Sequence, residues 1–193
     1  MKYFDENLDV IKKSLDSIDE NVFNNLLDEC YKVIKNGGKL IFSGLGKNVP
    51  ICEKIVGTLN SLGIQANFLH TNTAMHGDLG MICDKDLVFV LSKSGNTVES
   101  IILAKQLVAR GTNSWAITFN KECELAKIFN KSLLLDLEKE GDNWDIVPIN
   151  SSSVYLILLQ GLALQLADKL KITLQDFKKN HPGGAIGEAL KNV

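Results

Sequence analysis

Five short apolar runs constrain this chain more than any other feature. They cover residues 39–43, 65–69, 87–91, 114–118 and 132–136. They are apolar throughout rather than alternating, the pattern of strands covered on both faces. Helix-period stretches separate most of them, at 49–62, 97–110 and 122–129, and repeated β-α units of this size imply a parallel sheet flanked by helices. Two amphipathic helices are expected ahead of the first run, over 3–17 and 20–35. Leu8, Ile11 and Leu15 mark the apolar face of the first, and Val22, Leu26, Cys30, Val33 and Ile34 that of the second. Asn36-Gly37-Gly38 stops the second. A long helical segment over 151–170 carries Val154, Leu158, Leu162 and Leu166 along one face, and is expected to pack on the sheet or against another subunit. At 193 residues and 45% hydrophobic content one core suffices. The chain therefore reads as one domain over 1–193, with a helical pair over 1–36 and a sheet core with C-terminal helices over 37–193.

Composition removes several functions. A formal net charge of −2 shows no basic excess of the kind that holds a nucleic-acid backbone, so no nucleic-acid partner is expected. Arg110 is the only arginine, and any phosphate must be held by hydroxyls, backbone N–H groups or lysine. The four cysteines, Cys30, Cys52, Cys83 and Cys123, form no C-x-x-C pair or His/Cys cluster, which argues against a zinc site and a disulfide scaffold. The first twenty residues carry acids throughout and lack the apolar core of a signal peptide. No stretch reaches the ~18 apolar residues of a membrane span. A cytoplasmic protein that engages neither membrane nor metal is the expectation.

In an open parallel sheet, ligands bind beyond the carboxyl ends of the strands. The first run enters Ser43-Gly44-Leu45-Gly46-Lys47-Asn48, with Pro50 near the start of the following helix, where proline is tolerated. Val49 stands where a dinucleotide fingerprint needs its third glycine, and His70-Thr71-Asn72 where it needs an acid. Gly44 and Gly46 are also too close together for a Walker loop. NAD and ATP readings both weaken, and a tight turn without a ligand stays open for this motif. The third run ends in Ser92-Lys93-Ser94-Gly95-Asn96-Thr97, immediately before a helix. Free N–H groups, the positive dipole end and three hydroxyls make an anion site that needs no arginine. The competing reading is a capping box, with Asn96 as N-cap and Glu99 three residues on. His76 in "AMHGDLGM" and His181 in "NHPGGAIG" sit among glycines and a proline rather than on apolar faces. The acids of 136–145 follow the fifth run, and thus also fall on the ligand edge or in a solvated loop.

In this order, "GLGK" at 44–47, "HGDLGM" at 76–81, "SKSGNTVE" at 92–99 and "HPGGAIG" at 181–187 resemble the SIS (sugar isomerase) domain family, and within it the arabinose-5-phosphate isomerases of the route to Kdo. The resemblance spans nearly the whole chain. It implies an α/β fold, a three-layer α-β-α sandwich with a five-stranded parallel sheet, usually assembled as a homotetramer with sites at subunit junctions. It places the sugar phosphate on Ser92, Ser94 and Thr97, with Ser43 or Gly44 in support. The isomerase set carries over onto Lys47, His76, Glu99, Glu140 and His181, with Lys47 stabilising an enediolate and His76, Glu140 and His181 sharing ring opening and proton transfer. Glu99 either orients a neighbour or caps its helix. Such chemistry requires no cofactor. The implied activity is interconversion of D-ribulose 5-phosphate and D-arabinose 5-phosphate; the alternatives are another sugar phosphate, such as a hexulose 6-phosphate, or a phosphosugar sensor without catalysis. The chain departs from the family at Asn48-Val49-Pro50, where G-x-G-K-S-G is usual, and in the looser "PINSSS" at 148–153. It also stops at Val193, where many relatives continue into CBS modules.

Overall fold

The computed structural model describes residues 2–191. Helices α1 (Lys2–Asp16) and α2 (Glu20–Lys35) precede the sheet strands β1 (Leu40–Gly44), β2 (Ala66–Phe68), β3 (Leu87–Leu91), β4 (Asn113–Thr118) and β5 (Ser132–Leu134). Between and after the strands run α3 (Asn48–Ser61), α4 (Val98–Ala109), α5 (Glu124–Ile128), α6 (Asn150–Leu170), α7 (Leu174–Lys179) and α8 (Gly184–Ala189). All strand pairs are parallel, in the order β2-β1-β3-β4-β5. The five-stranded parallel sheet between helical layers is therefore present as expected.

Alternate strand residues serve opposite faces, as the pleat requires. Leu40, Phe42, Phe89, Trp115 and Ile117 pack with α2, α3 and α6, whereas Ile41, Val88, Val90 and Ala116 pack with α4 and α5. Phe42 stacks on Phe89 at 4.7 Å between centroids. Both faces being apolar explains why the strands read as continuous runs.

Local contacts set the helix boundaries. Asp19 fixes the start of α2 by accepting from the N–H groups of Asn21 and Val22. Glu122 and Cys123 stay outside α5, because the Cys123 thiol caps that helix on the Ala126 N–H. Leu8, expected on the buried face of α1, is 63% exposed, and Val10, Ile11 and Ser14 are buried instead. The apolar face holds only in the second half of α1, which packs along α6. C-terminal helices were expected, but only 151–170 was given bounds; the short α7 and α8 follow it.

Among the described residues α6 alone is long and apolar enough to cross a membrane, contrary to the sequence expectation. Its packing accounts for that composition. Val154, Tyr155, Leu159, Leu162 and Leu166 are buried in the core, and the Tyr155 hydroxyl donates to the Ile117 carbonyl at 3.0 Å. That carbonyl also accepts from the Ser92 N–H, so it keeps a partner if the hydroxyl is removed. Tyr155→Phe is accordingly expected to cost only about 1 kcal/mol, read as a lower urea midpoint with unchanged m-value.

Candidate functional site

The strand order reverses between β1 and β3: the chain goes from β1 outward to β2, then returns past β1 to β3. A crevice at such a switch point is where this class of sheet takes its ligands. Gly44 pairs with Leu91 across it, which sets the loops after β1 and β3 side by side. Asn48 ties them together, donating from Nδ2 to the Leu91 carbonyl at 3.2 Å.

The loop after β3 is built as a cradle. Gly95 has φ +62°, a left-handed conformation that glycine adopts without penalty. The Gly95 N–H donates to Ser92 Oγ at 3.1 Å, and its carbonyl accepts from the Leu125 N–H. Ser94 Oγ accepts from the Asn96 N–H, and Thr97 Oγ1 lies 3.4 Å from Ser92 Oγ. The capping box does not form. The N-cap is Thr97, one residue later than Asn96, and it makes no side-chain cap. Asn96 instead turns outward, its Oδ1 accepting from the Glu124 N–H of α5. The first turn of α4 thus keeps its donors and its positive dipole end open toward the cradle. Ser100 Oγ, buried in that turn, has no hydrogen-bond partner among the described residues.

Lys47 stands at the N-cap position of α3, exposed and without a side-chain partner among the described residues. Gly46 before it takes φ +55°. Gly44 is fixed by packing, since a Cβ there would lie 2.7 Å from Asn48 Cβ. Ser43 sits differently from expectation. Its hydroxyl is 0% exposed and shares a 2.8 Å hydrogen bond with Thr71, so it joins β1 to the loop after β2 and offers no surface to a ligand. That loop leads through Ala74, buried against Ile41 and Val88, to His76, which is exposed on a single 3₁₀ turn. Glu99 is exposed on the first turn of α4, and the capping alternative for it disappears with the capping box.

Glu140 also differs from its expected part in proton transfer. It is 1% exposed, and both of its oxygens are engaged. Oε1 accepts from Lys93 Nζ at 2.8 Å and from the Ser151 hydroxyl; Oε2 accepts from the N–H groups of Ile149 and Ser151 at 3.0 and 3.1 Å. Burial pushes this carboxyl upward, but Lys93 and the Ser151 donors outweigh it and hold the group below the usual carboxylate range. A carboxylate so occupied anchors the first turn of α6 and has little capacity left to accept a substrate proton.

His181 is the residue the chain does not bring to the others. It follows α7, with Nδ1 2.8 Å from the Phe177 carbonyl and its ring stacked on Phe177 at 3.9 Å. Next to it, Asn180 donates to the carbonyl of Ser61, the last residue of α3. Helix α3 runs from Lys47 back to the amino edge of the sheet, and its 14 residues span about 20 Å. His181 and the Ser92–Thr97 cradle therefore lie at opposite edges. Because a carbonyl only accepts, the hydrogen sits on Nδ1 and a neutral ring presents Nε2 as a base.

Asn48, Lys93, Gly95 and Asn96 were not among the expected site residues, although three of them lie inside the quoted stretch. A sequence shows that a loop has a lysine, not that a buried carboxylate holds it. Among the described residues no group of three or more His, Cys, Asp or Glu is placed to hold a metal ion.

A model of the SIS domain matches residues 33–170. Arabinose 5-phosphate isomerase KdsD of Pseudomonas aeruginosa is 32% identical over 179 residues, which is 93% of this chain and 55% of that protein. Arabinose 5-phosphate isomerase KpsF of Escherichia coli O6:H1 (strain CFT073) is 34% identical over 180 residues, 93% of this chain and 53% of that protein. The chain thus spans about half the length of these curated relatives. A solved Escherichia coli CFT073 protein in complex with arabinose 5-phosphate superposes with a TM-score of 0.87 at 32% identity, over 94% of this chain and 95% of that one.

Proposed function

Since this chain belongs to the SIS domain family, we propose that it is an aldose–ketose isomerase that interconverts D-ribulose 5-phosphate and D-arabinose 5-phosphate. The observation that carries the proposal is the Ser92–Thr97 cradle on the uncapped start of α4, with Lys47 on the adjoining loop across the switch point. The cradle suits a phosphate, the inert end of the substrate, and the relatives named above supply the sugar. Ser92, Ser94 and Thr97 line it, Gly44 permits the close approach of α3, and Ser43 supports it from behind through Thr71.

In the ketose-to-aldose direction a base takes a proton from C1 while the carbonyl oxygen at C2 gains one, giving an enediol. Return of a proton to C2 and loss of one from the C1 oxygen completes the exchange. The Lys47 ammonium stabilises the negative charge that develops on the oxygens. His76 stands on the same edge and can serve one proton transfer. His181 serves the other from a second copy of the chain, because its own cradle is at the far edge. Glu99, exposed beside the cradle, orients one of these groups, while Glu140 acts through what it holds.

A homotetramer with sites at subunit junctions follows from that reading. Its supports are the separation of His181 from the cradle and the exposure of Tyr3, Phe4 and Leu8 on α1 and of Trp144 and Ile146 on the loop before α6. A cytoplasmic place in Kdo synthesis accords with free cysteines, of which Cys30 and Cys52 are buried thiols whose ionisation burial opposes.

The test is to incubate the purified protein with ribulose 5-phosphate and follow arabinose 5-phosphate, with ribose, glucitol and hexulose phosphates as controls. Turnover of the pentulose above all controls is expected. Turnover of a hexulose phosphate alone would reassign the substrate, and tight binding without turnover of any phosphosugar would make the protein a sensor.

A further inference from the structure

Lys93 occupies the middle of the cradle, between two hydroxyls assigned to phosphate, yet its side chain is committed elsewhere. Its backbone is fixed to the end of β4, where the Lys93 carbonyl accepts from Thr118 Oγ1 at 3.1 Å and from the Phe119 N–H at 3.2 Å. From there the side chain, 43% exposed, reaches the fully buried Glu140 carboxylate. No other cation touches that carboxylate among the described residues. The charged and titratable groups around it are few. Asp145 accepts from the Glu140 N–H, Lys139 and Glu138 precede it in the chain with Glu138 paired to Lys13, and the Tyr155 hydroxyl lies below on α6. The Lys93 ammonium thus meets the Glu140 side chain, while Asp145 holds the Glu140 backbone. Asp145 is itself held at φ 56°, a left-handed conformation unusual for a residue with a side chain, so the backbone here is shaped around the cluster.

We propose that Lys93 is a positioning residue, pinned to the buried Glu140 so that the phosphate cradle, the β5–α6 connection and the first turn of α6 hold their places as one unit. The proposal rests on the isomerase reading only for the name of the ligand. Removing one partner of a buried ion pair leaves the other charge uncompensated, whereas removing a neutral donor to the same carboxylate does not. Lys93→Met and Ser151→Ala therefore separate the ionic tie from the packing around it.

The pH sign follows from the same pair. Glu140 is held below the ordinary carboxylate range, so the tie is whole above that range and is lost as the pH falls through the lowered value. Without Lys93 the tie is absent at every pH, the carboxyl rises, and its remaining hold on the Ile149 and Ser151 N–H groups at the start of α6 weakens from a higher pH.

The readouts are KM and the acid limb of kcat/KM for ribulose 5-phosphate, together with Kd for ribulose 5-phosphate and for inorganic phosphate by calorimetry. Lys93→Met is expected to raise KM and both Kd values about tenfold and to move the acid limb to higher pH, with a smaller change in kcat. Lys93→Arg, which keeps the charge, is expected to recover most of both effects. Ser151→Ala is expected to lower the Tm while leaving KM and the acid limb in place. Wild-type Kd values and acid limb in Lys93→Met would overturn the proposal, and so would Ser151→Ala reproducing both changes. If Lys93→Met does not fold, the double variant Lys93→Met/Glu140→Gln removes both charges. Its Kd values should then stay raised, and normal phosphate binding in it refutes the tie. A wild-type protein that binds ribulose 5-phosphate without converting it fails the isomerase reading alone, since the Kd comparison still judges Lys93.

Discussion

Gly95→Ala is expected to abolish measurable phosphosugar binding and to lower stability by about 3 kcal/mol, because it strikes the backbone of the cradle and the core beneath it at once. Two costs combine. At φ +62° a side chain is strained by about 1–2 kcal/mol. In addition, the new Cβ would lie 2.1 Å from Cys123 Sγ and 2.6 Å from Cys123 Cβ, and Cys123 is buried at the cap of α5. Neither residue can yield cheaply, since the Gly95 carbonyl is bonded to α5 and its N–H to Ser92. The checks are urea unfolding and calorimetric titration with ribulose 5-phosphate. Trimming Cys123 to alanine alone should cost little binding. The double variant Gly95→Ala/Cys123→Ala should remain defective, because the 2.6 Å contact with Cβ and the backbone strain both survive. Full recovery in the double variant would show that only the sulfur stood in the way and that the left-handed turn is dispensable.

The same loop shows how far sequence reading reaches. That 87–91 is a buried strand and 92–97 its ligand edge was legible, because burial on both faces leaves an uninterrupted apolar run and a parallel sheet has one functional edge. The competing capping reading at the start of α4 put the N-cap one residue early. Asn96 and Thr97 are both good N-caps in isolation, and what decides between them is the Glu124 N–H, 28 residues away, which takes the Asn96 side chain. Ser43 was misjudged for a related reason. Its position at the end of β1 was clear, but the partner that buries it, Thr71, comes from a loop after the neighbouring strand. Glu140 was legible as a carboxylate on the ligand edge, not as one enclosed by Lys93 and α6. In each case the residue's place along its element follows from periodicity, while its chemical state depends on a partner distant in sequence. Leu8 marks the reverse limit. Helical periodicity put it on the apolar face of α1, but periodicity does not say how much of that face has anything to cover it.

His181→Ala is expected to leave phosphosugar binding within about twofold of wild type and to lower kcat by about 10²–10³, the range for loss of one acid–base group. The cradle does not include the ring, so binding has no reason to fail. The sharper expectation concerns partners. If His181 acts on the cradle of another copy, a subunit lacking His181 still owns an intact cradle, and a Lys47→Ala subunit still owns an intact His181. Each variant alone keeps no more than about a hundredth of wild-type activity. Denatured together at equal amounts and refolded, the two should form mixed assemblies in which some junctions join an intact Lys47 to an intact His181. Random pairing makes about a quarter of the junctions complete, so activity should return to about that fraction of wild type, and it should do so only after subunits exchange. Recovery on simple mixing would indicate rapid dissociation of the assembly. No recovery after verified exchange would place His181 and Lys47 in one chain's site, which would require α7 and the segment after it to leave the Ser61 end of α3 and cross to the opposite edge of the sheet.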